Sequence, residues 1–281
     1  MRLDNTRYEA FWNNPEKYRI AYVLNLAPVK LPYGLSRGTA LHSIFEGVGK
    51  GRTLEQILDF LRAKGPLVEG GKVLDEPIEE TTIRTALGLY NAYVSEQPPY
   101  KLVETEFEFE CPIEGSPHSM VGKVDQIVEY EGELWVTDFK SGHPKTSYTT
   151  KVKEWGEMSS PNFYIAGARH AGFDVKGMRV HYIVEGTPPK IFPGIEVVRS
   201  ERELELHKIA VHQTCETLLS FLDTYGPHTP WPHRPHWTCG GREKCEYGRV
   251  CGVCDPRSEL VDIEREFKTR VEHLELMEKE G

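Results

Sequence analysis

The sequence predicts an α/β fold, and two observations carry the prediction. Between Lys101 and Phe139 three apolar-rich runs follow one another across short turns, the pattern of neighbouring strands. On either side lie stretches whose apolar residues recur at helical spacing, one ending near Val94 and one from Glu201 to Tyr225. A chain of 281 residues is long enough to enclose such a sheet in helices around a full core.

Taken in order, residues 4–25 read as helix, with Tyr8, Phe11, Trp12, Tyr18, Tyr22 and Val23 as an aromatic stripe interrupted near Pro15. Pro28 to Tyr33 reads as a loop. Ser36 can cap a helix that runs through His42 to about Val48. A second helix covers Leu54 to Ala63, and residues 65–71 form a loop. A third helix runs from about Pro77 to Val94 and is stopped by Gln97-Pro98-Pro99. Strands follow at Lys101–Glu110, Ser119–Tyr130 and Leu134–Phe139. A helix is expected over roughly 158–171 with Gly172 as its C-terminal cap. Met178–Glu185 and Ile191–Val198 alternate like strands. After the helix at 201–225, residues 226–236 are rich in proline and histidine and read as a linker. A cysteine cluster and an amphipathic helix from about Glu259 to Lys279 complete the chain.

The chemistry concentrates in residues 121–142, VGKVDQIVEYEGELWVTDFKSG. Asp125 lies within one strand, Tyr130-Glu131-Gly132-Glu133 makes a short turn, and the next strand ends at Asp138-Phe139-Lys140. Two acids and a lysine thereby meet at one end of a hairpin. Residues two apart on a strand share a face, so Asp138 and Lys140 point the same way. The acids can share a hard divalent cation, with the lysine beside the water or phosphate that the cation activates.

Gly-x-x-Asp, a hydrophobic hairpin and then Asp-x-Lys resembles the signature of the PD-(D/E)xK nucleases. Arg37-Gly38-Thr39-Ala40-Leu41-His42 matches the RGxxxH pattern of the RecB-like branch. Ser160-Pro161-Asn162-Phe163-Tyr164 keeps the tyrosine of that branch's QxxxY helix and replaces its glutamine with serine. The resemblance extends from about Asn14 to Cys254 and is to the CRISPR-associated RecB-like exonucleases, AddB-type nuclease domains and related phage exonucleases. It implies a restriction-endonuclease-like core, a mixed central sheet flanked by helices. It also implies Mg²⁺ or Mn²⁺ held by Asp125, Asp138, His42 and the backbone carbonyl of Phe139, with Lys140 as the catalytic lysine. Tyr164 would contact DNA or brace the site.

Cys239, Cys245, Cys251 and Cys254 fall within 16 residues. Four soft thiolates suit tetrahedral zinc or an iron–sulfur cluster. Their spacing is similar to the C-x5-C-x5-C runs of RecB-like phage nucleases, which implies a [4Fe–4S] cluster, with structural Zn²⁺ as the alternative. Relatives with that cluster take a further cysteine from a Cys-Pro-x-x-Tyr segment, and here Asn14 stands in its place. Such a cluster fits a metal site in a reducing compartment better than a disulfide framework. Cys111 and Cys215 are isolated and expected to be buried.

The net charge of −9 hides a local asymmetry. Lys140, Lys145, Lys151 and Lys153 lie in one acid-free segment that begins at the proposed catalytic lysine, where a phosphate backbone would run. No apolar stretch is long enough to span a bilayer, and the N-terminal residues have no signal-peptide core. A cytoplasmic protein of a bacterium, archaeon or infecting phage is expected, without membrane partners.

The expectation is a metal-dependent DNA nuclease, in particular an exonuclease acting on single strands or free ends in phage recombination, repair or CRISPR-type processing, with possible partner subunits. Residues 1–225 would be the nuclease domain and 226–281 a cysteine-bearing segment packed on it. The alternatives are a DNA-end-binding or scaffold subunit and a redox-sensing iron–sulfur protein. The combination of His42, Asp125, Asp138 and Lys140 favours the enzyme, because a binding module needs no such set.

Overall fold

A computed structural model describes residues 1–28, 33–64, 67–68, 72–73, 78–96, 100–232 and 267–269. The chain divides into two units, one of Met1–Leu31, Ile113–Ser119 and Ile209–Gly281, the other of Pro32–Pro112 and Met120–Lys208.

The chain begins with a short strand, β1 (Arg2–Leu3), then α1 (Asn5–Asn13) and α2 (Pro15–Tyr18), a π-helical turn at Arg19–Val23 and β2 (Leu26–Pro28). Asn14 ends one helix and starts the next. Its backbone is extended, and its side-chain oxygen accepts the Lys17 N–H at 3.0 Å. Asn14 therefore serves as a helix cap at the position where the resemblance pointed to a cysteine.

The second unit starts with α3 (Tyr33–Gly49) and α4 (Leu54–Lys64), followed by a two-stranded ribbon, β3 (Leu67–Val68) with β4 (Lys72–Val73), and by α5 (Glu80–Glu96). Because α3 already begins at Tyr33, Ser36 lies inside the helix rather than capping it. The long strands are β5 (Lys101–Pro112), β6 (Ser119–Tyr130) and β7 (Glu133–Gly142). Glu131 and Gly132 both take positive φ, 52° and 79°. That backbone matches the twist of a two-residue hairpin, and glycine adopts it without steric cost.

Next come α6 (Tyr148–Glu157), α7 (Ser160–His170), β8 (Val175–Val184), β9 (Lys190–Ile191), β10 (Ile195–Val197) and α8 (Glu201–Tyr225). β6 and β7 pair antiparallel, β7 and β8 parallel, and β8 and β10 antiparallel, with β5 on β6 and β9 on β8. The sheet is therefore mixed, as expected. Helix α6 occupies the basic segment after β7, for which the sequence pattern predicts no helix. Tyr148, two threonines, Val152 and Gly156 are weak helix formers, and the buried Trp155 anchors the turn that carries it. The single strand expected over 191–198 is split in two around Pro193-Gly194.

Helices cover both faces of this sheet. Phe139 and Ile183 belong to a core with Ala40, Leu41, Ile44 and Phe45 of α3 and Leu89 and Tyr93 of α5. On the other face, α6 docks through Trp155, whose Nε1 donates to the Tyr182 hydroxyl at 2.9 Å. Helix α7 approaches closely because Phe109 sits between two glycines. A Cβ on Gly122 or Gly167 would lie 2.6 or 2.3 Å from that ring. The glycine of Gly-x-x-Asp is thus a packing requirement. The C-cap of α7 is Ala171 rather than Gly172, which follows it at φ 93°.

In the first unit the stretch read as a linker is partly core. Trp231 is 1% exposed and stacks on Tyr18. Its backbone N–H donates to Glu16 at 2.7 Å, and Glu16 also forms a buried ion pair with Arg19. Residues 267–269 form a strand, β11 (Phe267–Thr269), antiparallel to β2, where a helix was expected. Pairing with β2, a contact distant in sequence, sets the conformation of these three residues in place of local helical periodicity. The rest of the 259–279 segment, and all four clustered cysteines, lie outside the described residues. Cys111 and Cys215 are buried free thiols.

Candidate active site

The site is built where the β6–β7 ladder ends. Paired residues run from Tyr130↔Glu133 to Gln126↔Thr137. Beyond that pair, Asp125 Oδ2 accepts the backbone N–H of Phe139 at 2.9 Å. The same oxygen lies 3.1 Å from His42 Nδ1 on α3. Beyond it, the Lys140 ammonium straddles the Asp138 carboxylate, 2.9 Å from Oδ1 and 2.7 Å from Oδ2. His42, Asp125, Asp138, Phe139 and Lys140 are thus brought together, as the sequence predicted.

Phe139 fixes this geometry. Its ring stacks on Phe45 with centroids 3.7 Å apart, edge-on to Tyr93 and beside His181. Phe45 lies one helical turn after His42, so the ring that grips β7 also places the histidine. The strand's alternation then directs Asp138 and Lys140 away from this core.

The electrostatics are those of crowded acids. Burial alone would raise the Asp125 carboxyl, but His42, Lys140 and the Phe139 amide outweigh it and hold it below the usual range. Burial raises Asp138 to about 6; Lys140 opposes this and Asp125 adds to it. Burial would lower His42, yet Asp125 lifts it above an ordinary histidine. Asp138 is 6% exposed at its side chain and Asp125 14%, while Lys140 is 38% exposed and reaches outward.

These donors suit a hard divalent cation. Two carboxylates with one imidazole match Mg²⁺ or Mn²⁺ better than a soft ion. Two interacting acids, one held up toward neutral pH by burial, form a pair whose ionised state a cation would stabilise.

Three further residues frame the site that sequence reasoning did not assign. Arg37, the first residue of the RGxxxH segment, is buried, forms an ion pair with Glu185 at the end of β8 and lies 3.5 Å from Ser141 Oγ on β7. It ties the start of α3 to both strand ends. Its signal was present in the motif, but only histidine had been given a role. Trp155 lies 5.9 Å from Lys140 Nζ, and its partner Tyr182 lies 5.8 Å from Lys151 Nζ.

Tyr164 sits half-buried on α7, edge-on to Phe109 of β5. Lys145 is exposed in the loop after β7. Lys151 and Lys153 lie on α6, where Lys153 is exposed and Lys151 pairs with Glu154.

A family model described as the PD-(D/E)XK nuclease superfamily matches residues 3–252, and the chain belongs to that superfamily. Its members are metal-dependent nucleases that generally use Mg²⁺ or Mn²⁺. Among solved structures, a candidate exonuclease from Eubacterium rectale is 11% identical, with 78% of this chain and 80% of that chain covered and a TM-score of 0.47. SSO0001 is 12% identical, with 70% and 84% covered and a TM-score of 0.28. No curated protein matches. Among the described residues no helix is long and apolar enough to cross a membrane.

Proposed function

We propose that this chain is a divalent-metal-dependent deoxyribonuclease of the RecB-like kind, acting as an exonuclease on single strands or free DNA ends. The observation that supports it most is the convergence of the His42–Asp125 and Asp138–Lys140 pairs on the two sides of Phe139. Asp125, Asp138, His42 and the Phe139 carbonyl would hold Mg²⁺ or Mn²⁺. When bound, that cation lowers the pKa of water and offsets charge on the scissile phosphate. Lys140 orients the attacking water and places its ammonium charge against the phosphate as negative charge develops. Phe139, through its N–H to Asp125, keeps the acid of β6 beside Asp138 of β7, and Arg37 ties α3 to the ends of β7 and β8. Tyr164 would contact the DNA, with Lys145, Lys151 and Lys153 along its backbone.

The cysteines Cys239, Cys245, Cys251 and Cys254 would hold a [4Fe–4S] cluster, or a structural Zn²⁺ in its place. Their role is to stabilise the C-terminal segment, and the site for it is made of soft ligands that Mg²⁺ avoids. A partner complex for recombination, repair or CRISPR-type processing would supply the DNA.

Single- and double-stranded DNA labelled at either the 5′ or the 3′ end tests the activity. Incubation with Mg²⁺ or Mn²⁺ should release labelled mononucleotides or short products from one end. EDTA should stop the release. Tight DNA binding without cleavage in either metal would instead support a DNA-end-binding subunit.

A further inference from the structure

We propose that His118, His212 and Glu216 form a second metal site, of the type that takes Zn²⁺ or a neighbouring transition ion. It uses none of the residues of the nuclease site. One donor atom from each residue lies within 4.8 Å of the other two.

All three belong to the first unit, and the fold converges them deliberately. His212 and Glu216 are one turn apart on α8, so they share a helix face. His118 is presented by the reversal between β5 and β6, closed by Ile113 N–H to His118 C=O at 3.1 Å and Ser116 N–H to Ile113 C=O at 3.0 Å. His118 is 4% exposed. Its Nε2 lies 2.6 Å from Glu216 Oε1, and the two imidazole centroids are 5.5 Å apart.

The His212 ring is also held from its other side. Ser116 Oγ lies 2.8 Å from His212 Nδ1 and can accept its proton. Metal-binding histidines typically have such a partner on the second nitrogen, which orients the ring and leaves Nε2 for the ion. A hydrogen bond between His118 and Glu216 alone would need no second imidazole beside it.

The donor set decides the ion. Two imidazoles and one carboxylate, without a thiolate, suit Zn²⁺, Co²⁺ or Ni²⁺ over Mg²⁺ or Ca²⁺. Zinc–nitrogen bonds of about 2.0–2.1 Å place tetrahedral ligands roughly 3.4 Å apart. The 2.6 Å contact therefore has to open by less than about 1 Å as the ion takes the place of the shared proton. Glu216 is exposed and can make that shift. The bound ion would staple the 113–119 reversal to α8, with water in the fourth position.

The test compares full-length wild type with His212→Gln and Glu216→Gln, both outside the buried core. Each protein is stripped with chelator and dialysed against Zn²⁺, and bound zinc is measured per chain. The cysteines and the nuclease site contribute equally to all three, so the difference isolates this site. Each variant should bind about one zinc fewer than wild type and lose the thermal stabilisation that zinc gives. With Co²⁺, each should lose visible absorption while thiolate-to-cobalt charge transfer is unchanged. Undiminished zinc stoichiometry in either variant would overturn the proposal.

Discussion

Asp125 Oδ2 accepts the Phe139 N–H at 2.9 Å, just beyond the last paired residues of the β6–β7 hairpin. The acid thus ends the ladder with its own side chain and keeps a buried amide satisfied. That single bond couples the fold to the site, because the strand end it holds also carries Asp138 and Lys140. The same carboxylate faces His42, so helix and hairpin are joined at the atom that would bind metal.

Removing the aromatic grip should loosen this junction. Phe45→Ala should cost about 3–5 kcal/mol of stability, the usual range for a buried phenylalanine. It should also lower kcat under conditions where the protein remains folded, since His42 and Phe139 lose their common support. Denaturant unfolding with parallel single-turnover assays checks both. Unchanged kcat in the folded variant would separate the stack from the site.

Lys140→Ala should reduce the rate of cleavage by at least about 10²-fold, the loss expected when one preorganised charge donor is removed. DNA affinity should hardly change, because one lysine is a small part of the phosphate contacts. Filter binding and single-turnover cleavage distinguish these effects.

Acid pH should act through Asp138. Its carboxyl titrates near 6 in the folded chain, against 3.8 for the ordinary side chain. Below the lower value both states are protonated, and the group adds nothing. Between the two values the unfolded chain ionises first, so folded stability falls as pH rises, and the full cost is present above about 6. Metal-free Asp138→Asn should therefore be more stable than wild type at pH 7 and not at pH 3. For the same reason protons should compete with Mn²⁺ below about pH 6 in the wild type, with His42 adding to the competition. Thermal scans and Mn²⁺ titrations across pH measure both.

The basic segment should divide by side-chain environment. Lys145 and Lys153 are exposed, whereas Lys151 is paired with Glu154 and lies over Tyr182. Neutralising Lys145 and Lys153 should flatten the salt dependence of single-strand binding by roughly 0.7 per lost phosphate contact. Neutralising Lys151 should change it less. Equal slopes in all variants would reduce the segment to solvated surface.

Cysteine replacement should destabilise the C-terminal segment more than it affects chemistry. Changing any of Cys239, Cys245, Cys251 or Cys254 to Ala should lower soluble yield and metal content. Anaerobically purified wild type should be brown with about four irons per chain if the cluster is [4Fe–4S]. Colourless protein with zinc would keep the structural role and change the metal.

Local chemistry made much of this legible in sequence. Positive φ at Glu131 and Gly132 is what a two-residue hairpin demands, and the pattern around it fixed which side chains share a face. His42, Asp125, Asp138 and Lys140 followed from motif order. What escaped reading depends on contacts distant in sequence. Helix α6 rests on Trp155 meeting Tyr182, not on its own propensity. Trp231 looked like part of a proline-rich linker until Tyr18 and Glu16 provided its partners. Residues 267–269 follow helical periodicity but pair with β2 as a strand. Arg37 had a motif, but its role needs Glu185 and Ser141, brought near by the parallel β7–β8 pairing.

The most direct measurement is cleavage of end-labelled DNA by wild type, Asp125→Ala and Asp138→Ala across a Mn²⁺ titration. Wild type should cleave in proportion to metal occupancy and stop with EDTA. Both variants should remain folded, bind DNA and fail to cleave at any Mn²⁺ concentration that saturates wild type. Wild-type rates in either variant, or wild-type cleavage that persists in EDTA, would contradict the assignment of these two acids to a metal-dependent nuclease site.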